Sequence, residues 1–157
     1  MKKTRGFTLI ELGIVIGVIA VMATIVFTAR GFIDQSRVGT SVQLVSAVRD
    51  AARGWAMRNN GGASFAGLTG MALLVNTPAD NTRFFTETPR DPWDNGDISV
   101  VAVGALFDFV DVTICIGDGG NAAVLAQDFE SNAERIGQVT IAGACGGAGQ
   151  SVTVRLR

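Results

Sequence analysis

Few side chains in this sequence can do chemistry, and the most conspicuous is a solitary carboxylate. From Phe7 to Ala29 run 23 residues among which Glu11 is the only charged one. An acid in hydrocarbon costs about 2.5–3.5 kcal/mol near a membrane centre on insertion scales, so it calls for a partner. Elsewhere the inventory is thin. The 157 residues contain no His, which removes the commonest general base and nitrogen metal ligand. No GxSxG, HExxH, phosphate-loop or GxGxxG pattern occurs. Cys115 and Cys145 are too few and too far apart for a four-ligand zinc site. In an exported domain two cysteines pair as one disulfide, and closing that loop stabilises by roughly 3–4 kcal/mol on the chain-entropy model. The alternative is two reduced, buried thiols. Acids gather at Asp91, Asp94 and Asp97, with Glu87 nearby. A calcium site there has neither EF-hand spacing nor a closing bidentate Glu; the other reading is a solvated turn with Trp93 packed inward. The sequence therefore predicts no catalytic residue, no metal site and no cofactor, and so no enzyme.

Charge sorts the chain into two parts. Six residues precede the apolar run, and three of them are basic: Lys2, Lys3 and Arg5. The whole chain carries 13 basic and 14 acidic residues; without those three basic ones the balance is 10 − 14 = −4. Every remaining basic residue is Arg. A mildly acidic surface gives no electrostatic footprint for nucleic acid, which shows as clustered Lys and Arg. Arg49, Arg53 and Arg58 read as helix-surface charge.

The block Gly6-Phe7-Thr8-Leu9-Ile10-Glu11-Leu12, behind its basic flank, resembles the class III leader of type IV prepilins and pseudopilins. The resemblance implies cleavage between Gly6 and Phe7 by a prepilin peptidase and N-methylation of the new Phe7 amine. It also implies an assembly role for Phe7 and Glu11, the carboxylate of one subunit facing the amine of its neighbour. An ordinary secretory signal would end its apolar segment in a small-x-small site, whereas here the junction precedes that segment. A plain single-span anchor also keeps a basic flank inside, yet gives no reason for Gly6-Phe7 or for the place of Glu11.

Positioning these residues falls to a long helix. A 23-residue apolar run spans a bilayer, which needs about 20 residues as a helix. Gly13 and Gly17 form a small-xxx-small stripe for close helix approach. Beyond the run, Val38, Val42, Val45, Ala52 and Trp55 fall on one face, widened by Leu44, Val48 and Ala51. Arg37, Ser41, Asp50, Arg53 and Arg58 take other faces. Asn59-Asn60-Gly61-Gly62 is a stop. Residues 7 to about 58 thus predict one rod roughly 75–80 Å long, with bends admitted at Gly31, Gly39 and Gly54. Ser64 is expected to cap a short helix Phe65–Val75, and Pro78, Pro89 and Pro92 to punctuate a loop. Asp91-Pro92-Trp93-Asp94-Asn95-Gly96-Asp97 reads as a turn. Strands are expected over 98–103 and 106–116, the second with a phase slip between Phe109 and Val110 that implies a bulge or bend. A helix Ala122–Arg135 follows, then short strands Val139–Ala142 and Ser151–Leu156 around Gly143–Gly149. The fold class is α+β, a long N-terminal helix on a small antiparallel sheet with a disulfide-closed C-terminal region. The expected organisation is a leader 1–6, a membrane and filament-core segment 7–29, and a globular domain 30–157 whose sheet spans 97–157.

The globular part is similar to type IVb-like pilins in Gly67-Leu68-Thr69, in the Asp91-Pro92-Trp93 turn and in Cys145 ahead of the terminal strand. The six-residue leader and Phe7 are closer to the IVa kind, while Ala20 and Thr28 stand where many IVa pilins break the first helix. The Asp-Pro-Trp turn also resembles the major pseudopilin of type II secretion. Those subunits usually lack the disulfide and carry an acidic calcium loop, for which Gly117-Asp118-Gly119-Gly120 is a poor substitute. What the resemblance implies is a structural subunit of a bacterial type IV pilus, a homo-polymer. Its partners are the prepilin peptidase, the membrane before assembly and the inner-membrane pilus assembly machinery. It would be an inner-membrane precursor first and an extracellular pilus on the cell surface later. The alternatives are a type II secretion pseudopilin, or a low-copy minor pilin acting as a binding or DNA-uptake module through loops 76–97 and 117–121.

Overall fold

The computed structural model describes residues 8–77, 83–94, 96 and 98–157. Gly6, Phe7, Pro78, Asn95 and Asp97, each named above, lie outside them. The chain divides into two compact units, residues 1–35 and 36–157. One helix, α1 (Leu9–Asn60), runs through both, unbroken at Gly31, Gly39 or Gly54.

In the first unit the side chains from Leu9 to Ile33 stand exposed. Helical geometry is the arrangement that lets such a run satisfy its own peptide groups. Its few hydroxyls do the same. Thr24 Oγ1 donates to the Val21 carbonyl at 2.7 Å, and Thr28 Oγ1 to the Thr24 carbonyl at 3.1 Å. By length and composition this helix can cross a membrane.

In the second unit α1 turns amphipathic. Val38, Val42, Val45, Val48, Ala51, Ala52 and Ala56 are buried at steps of three and four. Ser41, expected on a polar face, is fully buried. It lies one turn from both Val38 and Val45, and its hydroxyl donates to the Arg37 carbonyl at 3.0 Å, so no orphan polar group results. Trp55 is only half-buried. At the end of the helix Gly61 and Gly62 take φ +61° and +80°, and the Gly62 N–H reaches back to the Ala56 carbonyl at 3.0 Å. Left-handed backbone there suits glycine.

The short helix expected over 65–75 does not form. Only a 3₁₀ turn, Met71–Leu73, appears. Phe65, Leu68, Met71 and Leu74 are buried as the apolar spacing required, but Gly67 sits at φ +91° and breaks the path. The segment spends its backbone groups on the sheet instead: Ala102 N–H donates to the Leu68 carbonyl at 3.1 Å, and Phe65 N–H to the Phe107 carbonyl at 2.7 Å.

The sheet has four strands: β1 (Ser99–Val103), β2 (Phe109–Ile116), β3 (Gln138–Ala144) and β4 (Gln150–Leu156). Their order is β1-β2-β4-β3, all neighbours antiparallel. Along β2 every second residue is buried: Val110, Val112, Ile114 and Ile116. Such alternation is what one wet and one dry face demand. The bulge or bend expected between Phe109 and Val110 does not form: both lie in β2, whose alternation starts at Phe109 without a slip, and the chain turns earlier, at Phe107 with φ +53°. A bulge lies instead in β3, between Ile141 and Ala144. A second helix, α2 (Ala122–Ala133), is a turn fraction shorter than expected. It buries Leu125, Ala126, Phe129 and Ala133 and leaves Val124 exposed. The buried stripes of α1 and α2 and the dry face of the sheet form one core.

Candidate functional site

The chemistry-bearing end of α1 is built as a reciprocal cap. Thr8 stands just before Leu9. Its N–H and its Oγ1 both donate to Glu11 Oε2, each at 2.9 Å, while Glu11 N–H donates to Thr8 Oγ1 at 3.3 Å. This is a capping box, in which residues three apart satisfy each other's free donors at the helix start. The positive end of the helix dipole also favours a carboxylate in the first turn. Glu11 is exposed, so the group held by Thr8 stays open to a neighbour. Sequence reasoning singled out Glu11 and missed Thr8, although Thr-x-x-Glu ahead of an apolar run is the readable signature of such a box.

The cysteines meet. Cys115 on β2 and Cys145 after β3 form a disulfide with Cα atoms 6.0 Å apart. Its surroundings demand a missing side chain: a Cβ at Gly149 would lie 2.7 Å from both Cys115 Sγ and the Gly117 carbonyl oxygen. Cys145 N–H donates to the Gly149 carbonyl at 3.0 Å, closing the glycine-rich connection.

The acidic turn is a local structure around an aromatic ring. Trp93 is buried, with the Arg37 guanidinium 5.2 Å from its ring centroid. Asp91, also buried, accepts the Trp93 N–H at 3.2 Å, and its carbonyl accepts the Asp94 N–H at 3.0 Å. Among the described residues no three acids, cysteines or histidines come together as a metal would need. In loop 76–97 the described residues Thr88, Arg90, Asp91, Asp94 and Gly96 line a cleft of about 330 Å³. Gly117-Asp118-Gly119-Gly120 instead leads into α2, and a Cβ at Gly117 would lie 2.7 Å from Ala122 Cα.

The wet face of the sheet supplies one strong polar pair. Arg155 Nε and Nη2 donate to the two oxygens of Asp111, both at 2.8 Å, a two-pronged bridge between adjacent strands. Hydrogen bonding to Asp111, then its charge, pushes the Arg155 guanidinium above its ordinary range. Beside it Thr113 and Thr153 join hydroxyls at 2.9 Å. Both contacts are cross-strand packing.

Residues 1–27 match the prokaryotic N-terminal methylation motif. Neither the curated proteins nor the solved structures give a match to the chain. The proteins that carry this motif are structural subunits. That motif, leading into a long helix on a four-stranded antiparallel sheet closed by a disulfide, supports the resemblance of the chain to type IV pilins and pseudopilins.

Proposed function

We propose that this protein is a structural subunit of a bacterial type IV pilus, with no active site of its own. Residues 1–6 are the leader, held inside by Lys2, Lys3 and Arg5. Cleavage after Gly6 creates an ammonium on Phe7, which is then methylated. Residues 7–29 wait in the inner membrane and afterwards form the filament core, while the domain from Arg30 onward is exported and clothes the fibre on the cell surface.

The observation that carries this reading is Glu11, the lone charge of a 23-residue apolar run, held at the first turn of α1 with its face open. In the bundled filament the Glu11 of one copy meets the Phe7 amine of the next. Desolvation offsets much of the attraction of such a pair, so its chief effect is register: a subunit out of step leaves two charges unpaired. Repetition of one head-to-tail contact without ring closure gives an open helical fibre. The Cys115–Cys145 disulfide favours a pilin over a type II secretion pseudopilin.

The test is Glu11→Val. Expected are subunits at ordinary level in the membrane, with the mass of a chain beginning at methylated Phe7, and a loss of sheared surface fibres. Fibres at the parent yield would sink the proposal.

A further inference from the structure

Three segments of the second unit meet around a cleft of about 330 Å³. The last turns of α1 bring Trp55, Arg58 and Asn59, three and four residues apart and so on one side of the helix. The segment 65–75 brings Gly67, and the loop after it brings Arg83 and Phe84. Each wall is pinned. A Cβ at Gly54 would overlap the Phe84 ring, so that ring lies on bare helix backbone. The Arg58 guanidinium covers it, 4.6 Å from the centroid. Gly67 stands at φ +91°, and a Cβ there would lie 3.5 Å from the Trp55 indole. Arg83 is held at both ends: its main-chain N–H donates to Asn76 Oδ1 at 2.9 Å and its Nη1 to the Ala72 carbonyl at 2.6 Å. Asn59 Nδ2 donates to the Trp55 carbonyl at 2.9 Å; the amide has a second N–H and an oxygen acceptor besides.

We propose that this cleft binds an acidic sugar, a six-membered ring carrying one carboxylate. The C–H face of the ring lies on the Trp55 indole, the carboxylate meets Arg58 and Arg83, and the hydroxyls meet the Asn59 amide. Two chemistries of the walls select this ligand. An aromatic face is rich in electrons and takes an apolar C–H face against it. A guanidinium fork matches a planar carboxylate in two-pronged geometry. Five N–H donors on each guanidinium let both arginines keep their protein contacts and still face the ligand. The volume suits one ring with its substituents, at the small end of ligand pockets. A polyanion fits poorly, because without Lys2, Lys3 and Arg5 the chain balances at 10 − 14 = −4, whereas a phosphate backbone calls for clustered positive surface. A single carboxylate responds to the cations at its own site, since charges more than a Debye length away are screened. The site goes beyond the polymer reading and does not depend on it.

The experiment is saturation-transfer NMR on the full chain, in a detergent without a sugar headgroup. Glucuronate is the probe, and glucose is its neutral twin with the same ring. Transfer is expected to glucuronate and, roughly tenfold weaker, to glucose. Arg58 is exposed, so Arg58→Gln keeps the fold, which its urea midpoint checks. That variant is expected to lose glucuronate affinity roughly tenfold, the worth of one hydrogen bond to a charged group. Arg49→Gln, on the same helix but outside this wall, is expected to bind as the parent does. Methyl glucuronide extends the result: its binding points to the end of a glycan chain as the source, and binding of the free acid alone to a free sugar. Equal transfer to glucose and glucuronate would overturn the site, as would no transfer to glucuronate. So would parent-level affinity in Arg58→Gln, or an equal loss in Arg49→Gln. Each of those outcomes leaves fibre formation untouched.

Discussion

At the scale of single residues, Glu11 does two physically separable things. It accepts the Thr8 donors, and in the proposed filament it holds a negative charge ready for a cation. Glutamine separates them, because a Gln three residues after the cap can also accept the cap's N–H but carries no charge. Glu11→Gln is therefore expected to preserve the helix start and to assemble as poorly as Glu11→Val, measured as sheared fibre per processed subunit. Parent-level assembly by Glu11→Gln would assign the carboxylate to capping alone. The sequence made the charge conspicuous and left the cap legible only in the short Thr8-Leu9-Ile10-Glu11 spacing, for a simple reason. A lone acid among hydrocarbon side chains announces a cost, whereas a threonine one turn away matters only when it is paired with that acid.

At the scale of elements, legibility followed periodicity and failed where backbone conformation decided. The alternation along β2 and the three-and-four spacing on α1 gave both faces correctly, apart from Ser41, whose polarity argued for solvent while its position argued for the core. Position won because the Arg37 carbonyl satisfies the hydroxyl. Residues 65–75 carried the same apolar spacing as a helix, yet Gly67 at positive φ and the bonds to Ala102 and Phe107 hold them as an irregular strap over the sheet edge. Nor could spacing show why Gly54 is a glycine: a Cβ there would overlap the Phe84 ring, which the loop 83–94 lays against α1. Helix α2 offers the cleanest test of packing. Phe129 is among the largest fully buried side chains, in the core shared with the sheet. Phe129→Ala removes that ring without touching any polar contact, and large aromatic truncations in cores cost about 3–5 kcal/mol. The expected result is a lower urea midpoint for the full chain in detergent with an unchanged slope. A shift within error would mean the core collapses around the gap.

At the scale of the whole molecule, the disulfide decides which parts can come apart. Cys115 and Cys145 stand 30 positions apart, and that loop contains α2 and all of β3. Closing it restricts the unfolded chain by roughly 3–4 kcal/mol on the entropy model, a large share of the stability of a domain this small. The β1–β2 pairing and the buried stripe of α1 lie outside the loop and draw on the core directly. Local opening free energies differ among such cooperative units. Reduction should therefore loosen the molecule unevenly: amide exchange is expected to speed up across 117–144 first, while Val42, Val45 and Val48 stay protected near the global limit. A subunit already locked in a fibre would resist more, since binding that favours the native form raises its apparent stability. The measurement is hydrogen exchange on reduced and oxidised chains in detergent and on sheared fibres. Uniform acceleration across α1 and the sheet would show instead that the disulfide holds the entire domain as a single cooperative unit.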